Sequence, residues 1–111
     1  MSMKVSREEI GRDLLLVVEG SVDIASSPEL RGELRVAVEA KRPRIVVDMG
    51  GVKFVDSSGL ATLIEALQQT KRYDGKLTLC CLNSTVLGVF QLANLDNIFH
   101  ITASRDEALS G

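Results

Sequence analysis

Five consecutive residues in the middle of the chain, Asp56-Ser57-Ser58-Gly59-Leu60, place a carboxylate, two hydroxyls and a glycine between an apolar run and a helical pattern. Three chemical roles fit these residue types. A polar side chain can cap a helix, a serine can act as a nucleophile, and an exposed serine can accept a phosphoryl group from another protein. The rest of the sequence distinguishes among these roles.

Helix capping explains part of this stretch. Ser and Asp are preferred N-cap residues because their side-chain oxygens accept hydrogen bonds from N–H groups of the first helical turn, which contributes about 1 kcal/mol. One cap requires one residue, whereas three candidates stand in a row from Asp56 to Ser58. The surplus of polar side chains indicates a second role.

A catalytic serine is disfavoured by what the chain lacks. Activation of the hydroxyl requires a neighbouring base, usually a histidine oriented by an acid, and His100 is the only histidine in the sequence. The residues two positions before the serines are Val55 and Asp56, where a G-x-S-x-G nucleophile elbow has glycine. We therefore expect no enzymatic activity and no cofactor.

A hydroxyl at a strand-to-helix junction is accessible to a modifying partner. Phosphate at this position would meet free helix N–H groups and the positive end of the helix dipole, so the domain should tolerate it. The added charge of about −1.5 to −2 would instead disrupt a protein–protein contact made at this surface. The stretch therefore predicts a serine whose phosphorylation controls the binding of a partner protein.

Length and composition predict a single globular domain spanning residues 1–111. The 111 residues are 45% hydrophobic and 25% charged, and the net charge of −2 provides no electrostatic footprint for nucleic acid. No apolar stretch approaches the roughly 20 residues that span a bilayer, and the N-terminus lacks the apolar region of an export signal. We expect a cytoplasmic protein that neither binds nucleic acid directly nor inserts into a membrane.

The two cysteines, Cys80 and Cys81, are adjacent in the sequence. Without a second cysteine pair or a nearby histidine, this spacing does not match known metal-ligand patterns. Adjacent side chains of an extended strand point to opposite faces, so one thiol can be buried and the other exposed. We predict two unpaired thiols.

Strand and helix patterns alternate along the chain. Short apolar runs predict strands at 14–20, 44–51, 76–82 and 97–102. Helical periodicity predicts a helix capped by Ser27, one running from Leu60 to about Tyr73, one capped by Asn83 or Ser84, and a short helix in the C-terminal tail. This alternation indicates α/β packing with some parallel strands.

Three segments, GSVDIASSPEL, VVDMGGVKFVDSSGLATLIEAL and KLTLCCLNSTVLGVFQLANLDNIFHI, resemble the STAS domain of bacterial anti-sigma factor antagonists in order and spacing. The resemblance covers nearly the whole chain, and its most specific landmarks are D-S-S-G-L and the earlier G-x-V-D, from Gly20 to Asp23. It implies a small mixed β-sheet of four to five strands with about four helices packed mainly on one face, in agreement with the predicted alternation.

The resemblance also implies a partner-switching mechanism. In that family the unmodified domain binds a GHKL-type serine-kinase anti-sigma factor, the kinase phosphorylates the domain, and a PP2C-type phosphatase resets it. The family's acceptor hydroxyl directly follows the aspartate, which corresponds to Ser57. Asp23 and Asp56 match positions that shape the acceptor loop, and Ser58 and Gly59 complete the motif at the helix start.

The helical pattern predicts where a partner would bind. If Leu60, Leu63, Ile64 and Leu67 form the buried stripe, then Ala61, Thr62 and Glu65 lie on another side of the helix, beside the acceptor. Ile24, an apolar residue next to Asp23 where a polar one would be unremarkable, is assigned to the same partner-binding surface. The alternative function is that of a STAS-like accessory subunit, which would dock on the ATPase of a membrane transporter.

Overall fold

The computed structural model describes residues 2–110 as a mixed α/β structure. Its elements, in chain order, are β1 (Met3–Ile10), β2 (Asp13–Val22), α1 (Ser27–Glu39), β3 (Arg44–Val55), α2 (Ser57–Arg72), β4 (Lys76–Cys80), α3 (Ser84–Leu92), β5 (His100–Thr102) and α4 (Arg105–Ser110). Within these residues no helix is long and apolar enough to cross a membrane.

The five strands lie side by side in the order in which they occur in the sequence. β1 and β2 form an antiparallel hairpin, and β2, β3, β4 and β5 run parallel to one another. Parallel neighbours require crossover connections, which α1, α2 and α3 provide. The carboxyl ends of β2, β3, β4 and β5 therefore lie on the same side of the sheet, where binding sites of α/β proteins commonly lie.

The helices cover the two faces of the sheet unequally. α1, α2 and α3 bury Leu34, Leu63 and Phe90 in one large cluster with apolar residues of the sheet. On the other face α4 packs Ala108 against a smaller cluster that includes Val46 and Cys80. The prediction of a small mixed sheet with helices mainly on one face is confirmed.

Strand β1 is the element that the apolar pattern did not indicate. It is an edge strand in which only Met3 and Val5 pack partly against the core, while the remaining side chains are exposed. An edge strand with little buried surface needs few apolar residues, so its sequence, MKVSREEI, carries no strong strand signal.

The two cysteines do not lie on opposite faces, so that part of the prediction is wrong. β4 ends at Cys80, and Cys81 adopts a positive φ of 67°, which turns its side chain back towards its neighbour. The two sulfurs are 3.4 Å apart. Cys80 is buried and Cys81 is half-buried, and burial, together with the hydrogen bond between the two thiols, raises the pKa of the Cys80 thiol to about 12.

Candidate phosphorylation site and partner surface

The candidate site lies where β2 and β3 end at the same edge of the sheet. Val22 and Val55, the last residues of the two strands, are register partners. The backbone N–H of Asp56 donates to the carbonyl oxygen of Val22 at 3.1 Å, which ties the loop before α2 to the end of β2. The two motifs that the sequence singled out are therefore brought together.

Asp56 is the N-cap of α2. Its backbone is extended, and its Oδ1 accepts hydrogen bonds from the backbone N–H groups of Ser58 at 2.9 Å and Gly59 at 3.2 Å. The Ser58 hydroxyl donates to the same oxygen at 2.5 Å. These bonds favour the ionised carboxylate, and the one from the Ser58 hydroxyl contributes most to lowering the pKa of Asp56.

Ser57 and Ser58 therefore differ in their surroundings. Ser58 is half-buried and its hydroxyl is bound to Asp56, whereas Ser57 is exposed as the first residue of α2. Within residues 2–110 no hydrogen bond engages the Ser57 hydroxyl. The expectation that phosphate would find free helix N–H groups is wrong for Ser58 and Gly59, because Asp56 already accepts from both.

Gly59 has a steric role that the sequence did not reveal. It is buried in the first turn of α2, and a Cβ atom at this position would lie 2.8 Å from Cγ1 of Val22 and 3.0 Å from Cγ1 of Val55. Real Cβ atoms essentially never come as close as the 2.8 Å to Val22, and 3.0 Å to Val55 is also a tight contact. Gly59 therefore allows the helix start to pack directly on the ends of β2 and β3, which positions Ser57 at the sheet edge.

Asp23 organises the neighbouring loop. Its Oδ1 accepts from the backbone N–H groups of Ala25 and Ser26, each at 3.0 Å. The Ser26 hydroxyl in turn donates to the carbonyl oxygen of Ser21 at 2.8 Å. Ser26, not Ser27, occupies the N-cap position of α1, and Asp23 shapes its own turn.

Ile24 lies at the tip of this turn. Ile24 is 80% exposed. A hydrogen bond from its backbone N–H also helps to lower the pKa of Asp56, so the loop that carries Ile24 lies beside the loop that carries Asp56. Ile24 is therefore exposed beside the loop that carries Ser57, and its role in partner binding stays a prediction. Phe54, which is 51% exposed just before the acceptor loop, is a further apolar surface residue that the sequence pattern did not single out.

The assignment of Thr62 to the partner surface is wrong. Thr62 is only 1% exposed, and its hydroxyl donates to the carbonyl oxygen of Ser58 at 3.0 Å. The buried face of α2 comprises Gly59, Thr62, Leu63, Ala66, Leu67 and Thr70. Leu60 and Ile64 are only partly buried, because α2 packs against both α1 and the sheet and its buried face is rotated from the predicted stripe.

The other two residues assigned to this side of α2 remain at the surface to different degrees. Ala61 is exposed, one residue beyond the first turn. Glu65 is half-buried, and its carboxylate lies 3.3 Å from the guanidinium of Arg31 on α1. Ala61 is therefore open to a partner, whereas Glu65 is already engaged within the domain.

The fold and the capped helix start at Asp56 define a class of small α/β domain, and comparison with known proteins identifies the family. The family model described as the STAS domain matches residues 4–108. BtrV of Bordetella bronchiseptica, whose name gives it provisionally as an anti-sigma factor antagonist, is 30% identical over 106 residues, covering 96% of this chain and 91% of that protein. The chain belongs to the STAS domain family.

Two solved structures have the same fold. An anti-sigma factor antagonist from Mycobacterium paratuberculosis superposes with a TM-score of 0.90 at 23% identity, covering 98% of this chain and 92% of that one. SpoIIAA, described as a Bacillus cell fate determinant and solved in its phosphorylated form, gives a TM-score of 0.76 at 20% identity, covering 96% and 97% of the two chains.

Proposed function

We propose that this protein is an anti-sigma factor antagonist without catalytic activity, controlled by phosphorylation of Ser57. In the unmodified state it binds a GHKL-type serine-kinase anti-sigma factor in the cytoplasm and thereby frees a sigma factor. The kinase releases the domain by phosphorylating Ser57, and a PP2C-type phosphatase resets it. The similarity to BtrV and to SpoIIAA, whose structure is known in a phosphorylated form, supports this proposal.

The observation that carries the proposal is the contrast between the two serines. The Ser57 hydroxyl is exposed, whereas the Ser58 hydroxyl donates to Asp56 at 2.5 Å. Transfer to Ser58 would require this charge-assisted bond to break first, while Ser57 can meet the γ-phosphate of ATP without rearrangement of the loop.

The effect of phosphate follows from charge. Phosphoserine adds about −1.5 to −2 charges beside the Asp56 carboxylate, which already occupies the donors of Ser58 and Gly59. The phosphate therefore faces outwards, next to exposed Ile24 and Ala61. A partner that packs an apolar surface on these side chains would have to bury a dianion, which disfavours the complex.

Phosphorylation by a GHKL-type kinase from the same genome tests the assignment. Wild-type protein and the Ser57→Ala and Ser58→Ala variants are incubated with the kinase and ATP, and phosphopeptides are located by mass spectrometry. We expect one phosphoryl group on Ser57 in wild type and in Ser58→Ala, and none in Ser57→Ala. Modification of Ser58 in the Ser57→Ala variant at the wild-type rate would contradict the assignment of the acceptor.

The accessory-subunit alternative makes a different prediction. A subunit that docks permanently on a transporter ATPase needs no acceptor serine, so it would bind its partner equally well with Ser57 or with Asp at this position. Binding to the kinase that changes with ATP and depends on Ser57 supports the switch.

A further inference from the structure

Three side chains that could bind a metal ion converge beneath α4, on the face of the sheet opposite α1, α2 and α3. Asp48 of β3 is the register partner of Cys80 of β4, and Cys81 follows directly. One carboxylate oxygen and the two sulfurs all lie within 4.8 Å of one another. We propose that Asp48, Cys80 and Cys81 form a binding site for one divalent metal ion that prefers sulfur ligands, and that the ion bound in the cell is Zn²⁺.

The backbone of Cys81 creates this convergence. A regular strand would direct the two thiols to opposite faces, but the positive φ of 67° at Cys81 brings its sulfur to 3.4 Å from that of Cys80. This conformation is uncommon for a residue other than glycine. It is held in place by a hydrogen bond from the Cys81 N–H to the carbonyl oxygen of Thr102 at 3.2 Å.

The surroundings combine burial with access. Cys80 is fully buried and Asp48 is 7% exposed, whereas Cys81 is half-buried and connects the cluster to solvent. Gly50 leaves this approach open, because a Cβ atom there would lie 3.1 Å from Oδ1 of Asp48 and 3.4 Å from Cβ of Cys81. The N–H of Gly50 also orients the carboxylate by donating to Oδ1 at 2.8 Å.

The donor set selects the kind of ion. Two thiolates favour soft or borderline ions such as Zn²⁺ and Cd²⁺, whereas Mg²⁺ and Ca²⁺ require oxygen ligands. Tetrahedral coordination with Zn–S bonds of about 2.3 Å places two sulfurs about 3.8 Å apart. The observed separation of 3.4 Å is therefore close to that of a chelating pair. Water would complete the four ligands.

A bound metal ion would replace the positive charge of Arg105 beside Asp48 and the protons of the two thiols. Oδ2 of Asp48 is paired with Nε of Arg105, the first residue of α4, whose side chain is substantially exposed. The ion takes the place of this guanidinium, which can move into solvent. Each thiol loses one proton to solvent when its sulfur binds, so one divalent ion displaces two protons.

Titration with Cd²⁺ under a thiol-free reductant tests the site. We expect wild-type protein to bind one equivalent, with a thiolate-to-cadmium charge-transfer band in the ultraviolet, and Mg²⁺ to produce no change. Cys81→Ser should weaken Cd²⁺ binding at least tenfold and reduce the band. Asp48→Asn should weaken binding by about tenfold but retain the band, because both sulfurs remain.

His100→Ala is the matched control, because it removes the only imidazole in the chain and His100 is not part of the cluster. Its Cd²⁺ affinity should equal that of wild type. As a check that needs no variant, Cd²⁺ should slow alkylation of Cys81 in the wild-type protein. Wild-type affinity in Cys81→Ser, absence of the band at saturation, or unprotected Cys81 would each overturn the proposal, and unchanged affinity in Asp48→Asn would overturn the three-ligand assignment.

Discussion

The hydroxyl of Ser58 donates to Oδ1 of Asp56 at 2.5 Å, and this one contact separates the roles of two neighbouring serines. It fixes Ser58 as part of the helix cap and leaves Ser57 as the hydroxyl that is open to a partner. The run of three polar residues is thus explained by two functions: Asp56 and Ser58 build the cap, and Ser57 is the proposed acceptor.

The charge at position 57 should control binding of the kinase. Ser57→Ala keeps the small exposed side chain neutral, so we expect this variant to bind the kinase with wild-type affinity. Addition of ATP should no longer reduce that affinity, because the acceptor hydroxyl is absent. Ser57→Asp should weaken binding on the order of tenfold, or about 1.4 kcal/mol. The effect is partial because one carboxylate carries less charge and fewer acceptor oxygens than phosphate.

Isothermal titration calorimetry against the kinase measures both affinities. Ser57→Asn is the matched control, since it has nearly the shape of Asp without its charge. If Ser57→Asn and Ser57→Asp weaken binding equally, the kinase responds to the size of the side chain at position 57 and not to its charge.

The lowered pKa of Asp56 should make the cap sensitive to acid. The folded state holds this pKa below its ordinary value, so the stabilisation is complete above the unfolded-state pKa, near 3.9, and is lost as the pH falls through the folded-state pKa. In Asp56→Asn the amide oxygen can still accept helix N–H bonds but carries no charge. We expect this variant to lose less stability than wild type as the pH falls from 5 through the folded-state pKa.

Urea unfolding at several pH values measures this difference, and NMR titration of the Asp56 carboxyl group measures the pKa directly. Ser58→Ala provides a graded control, because it removes the hydrogen bond that contributes most to the shift. The pKa of Asp56 in this variant should move back towards its ordinary value. An unchanged pKa would show that the backbone N–H groups alone determine it.

The close approach at Gly59 predicts a loss of stability when a methyl group is added. In Gly59→Ala the new Cβ would meet Val22 and Val55 at 3.0 Å or less, so either α2 or the two valine side chains must shift. We expect the free energy of unfolding to fall by about 1–3 kcal/mol. Phosphorylation of Ser57 should also slow, since the same turn positions it.

Gly32→Ala is the matched control within α1. A Cβ atom there meets nothing within 4 Å, and alanine is favoured over glycine in helices by about 1 kcal/mol. This variant should be as stable as wild type or more stable. Chemical denaturation compares the two variants, and equal stabilities would contradict the packing described for Gly59.

Much of the fold was predictable because its buried strands and helices carry simple apolar patterns. The strands predicted at 14–20 and 44–51 lie within β2 and β3, and Asn83 caps α3 as one of the two expected candidates. β1 was not located because an edge strand with little buried surface carries little apolar signal. Its position depends on pairing with β2, which is a tertiary contact.

The site was predictable in its residue types but not in its contacts. The sequence indicated that Asp56, Ser57 and Ser58 stand at a helix start, and the structure places them there. It could not indicate which hydroxyl Asp56 binds, because both serines are within reach of a cap. Nor could a helical wheel based on leucines indicate that packing against both α1 and the sheet rotates the buried face of α2 towards Thr62.

The burial of Thr62 predicts that an arginine there destabilises the fold. As a surface residue Thr62 would tolerate Arg, but its side chain is 1% exposed and bound to the Ser58 carbonyl. Thr62→Arg must bury a charge or displace α2, so we expect a loss of about 3 kcal/mol or more in the free energy of unfolding. Ala61→Arg, one position earlier and exposed, should change stability by no more than about 0.5 kcal/mol.

Because Ala61 lies beside the proposed acceptor Ser57, the Ala61→Arg variant should weaken kinase binding by about 1–3 kcal/mol through steric clash and an unpaired charge. Thermal denaturation and calorimetric titration of both variants separate folding from binding. A stable Thr62→Arg protein would refute the buried face of α2, and normal binding by Ala61→Arg would place the partner surface away from this helix.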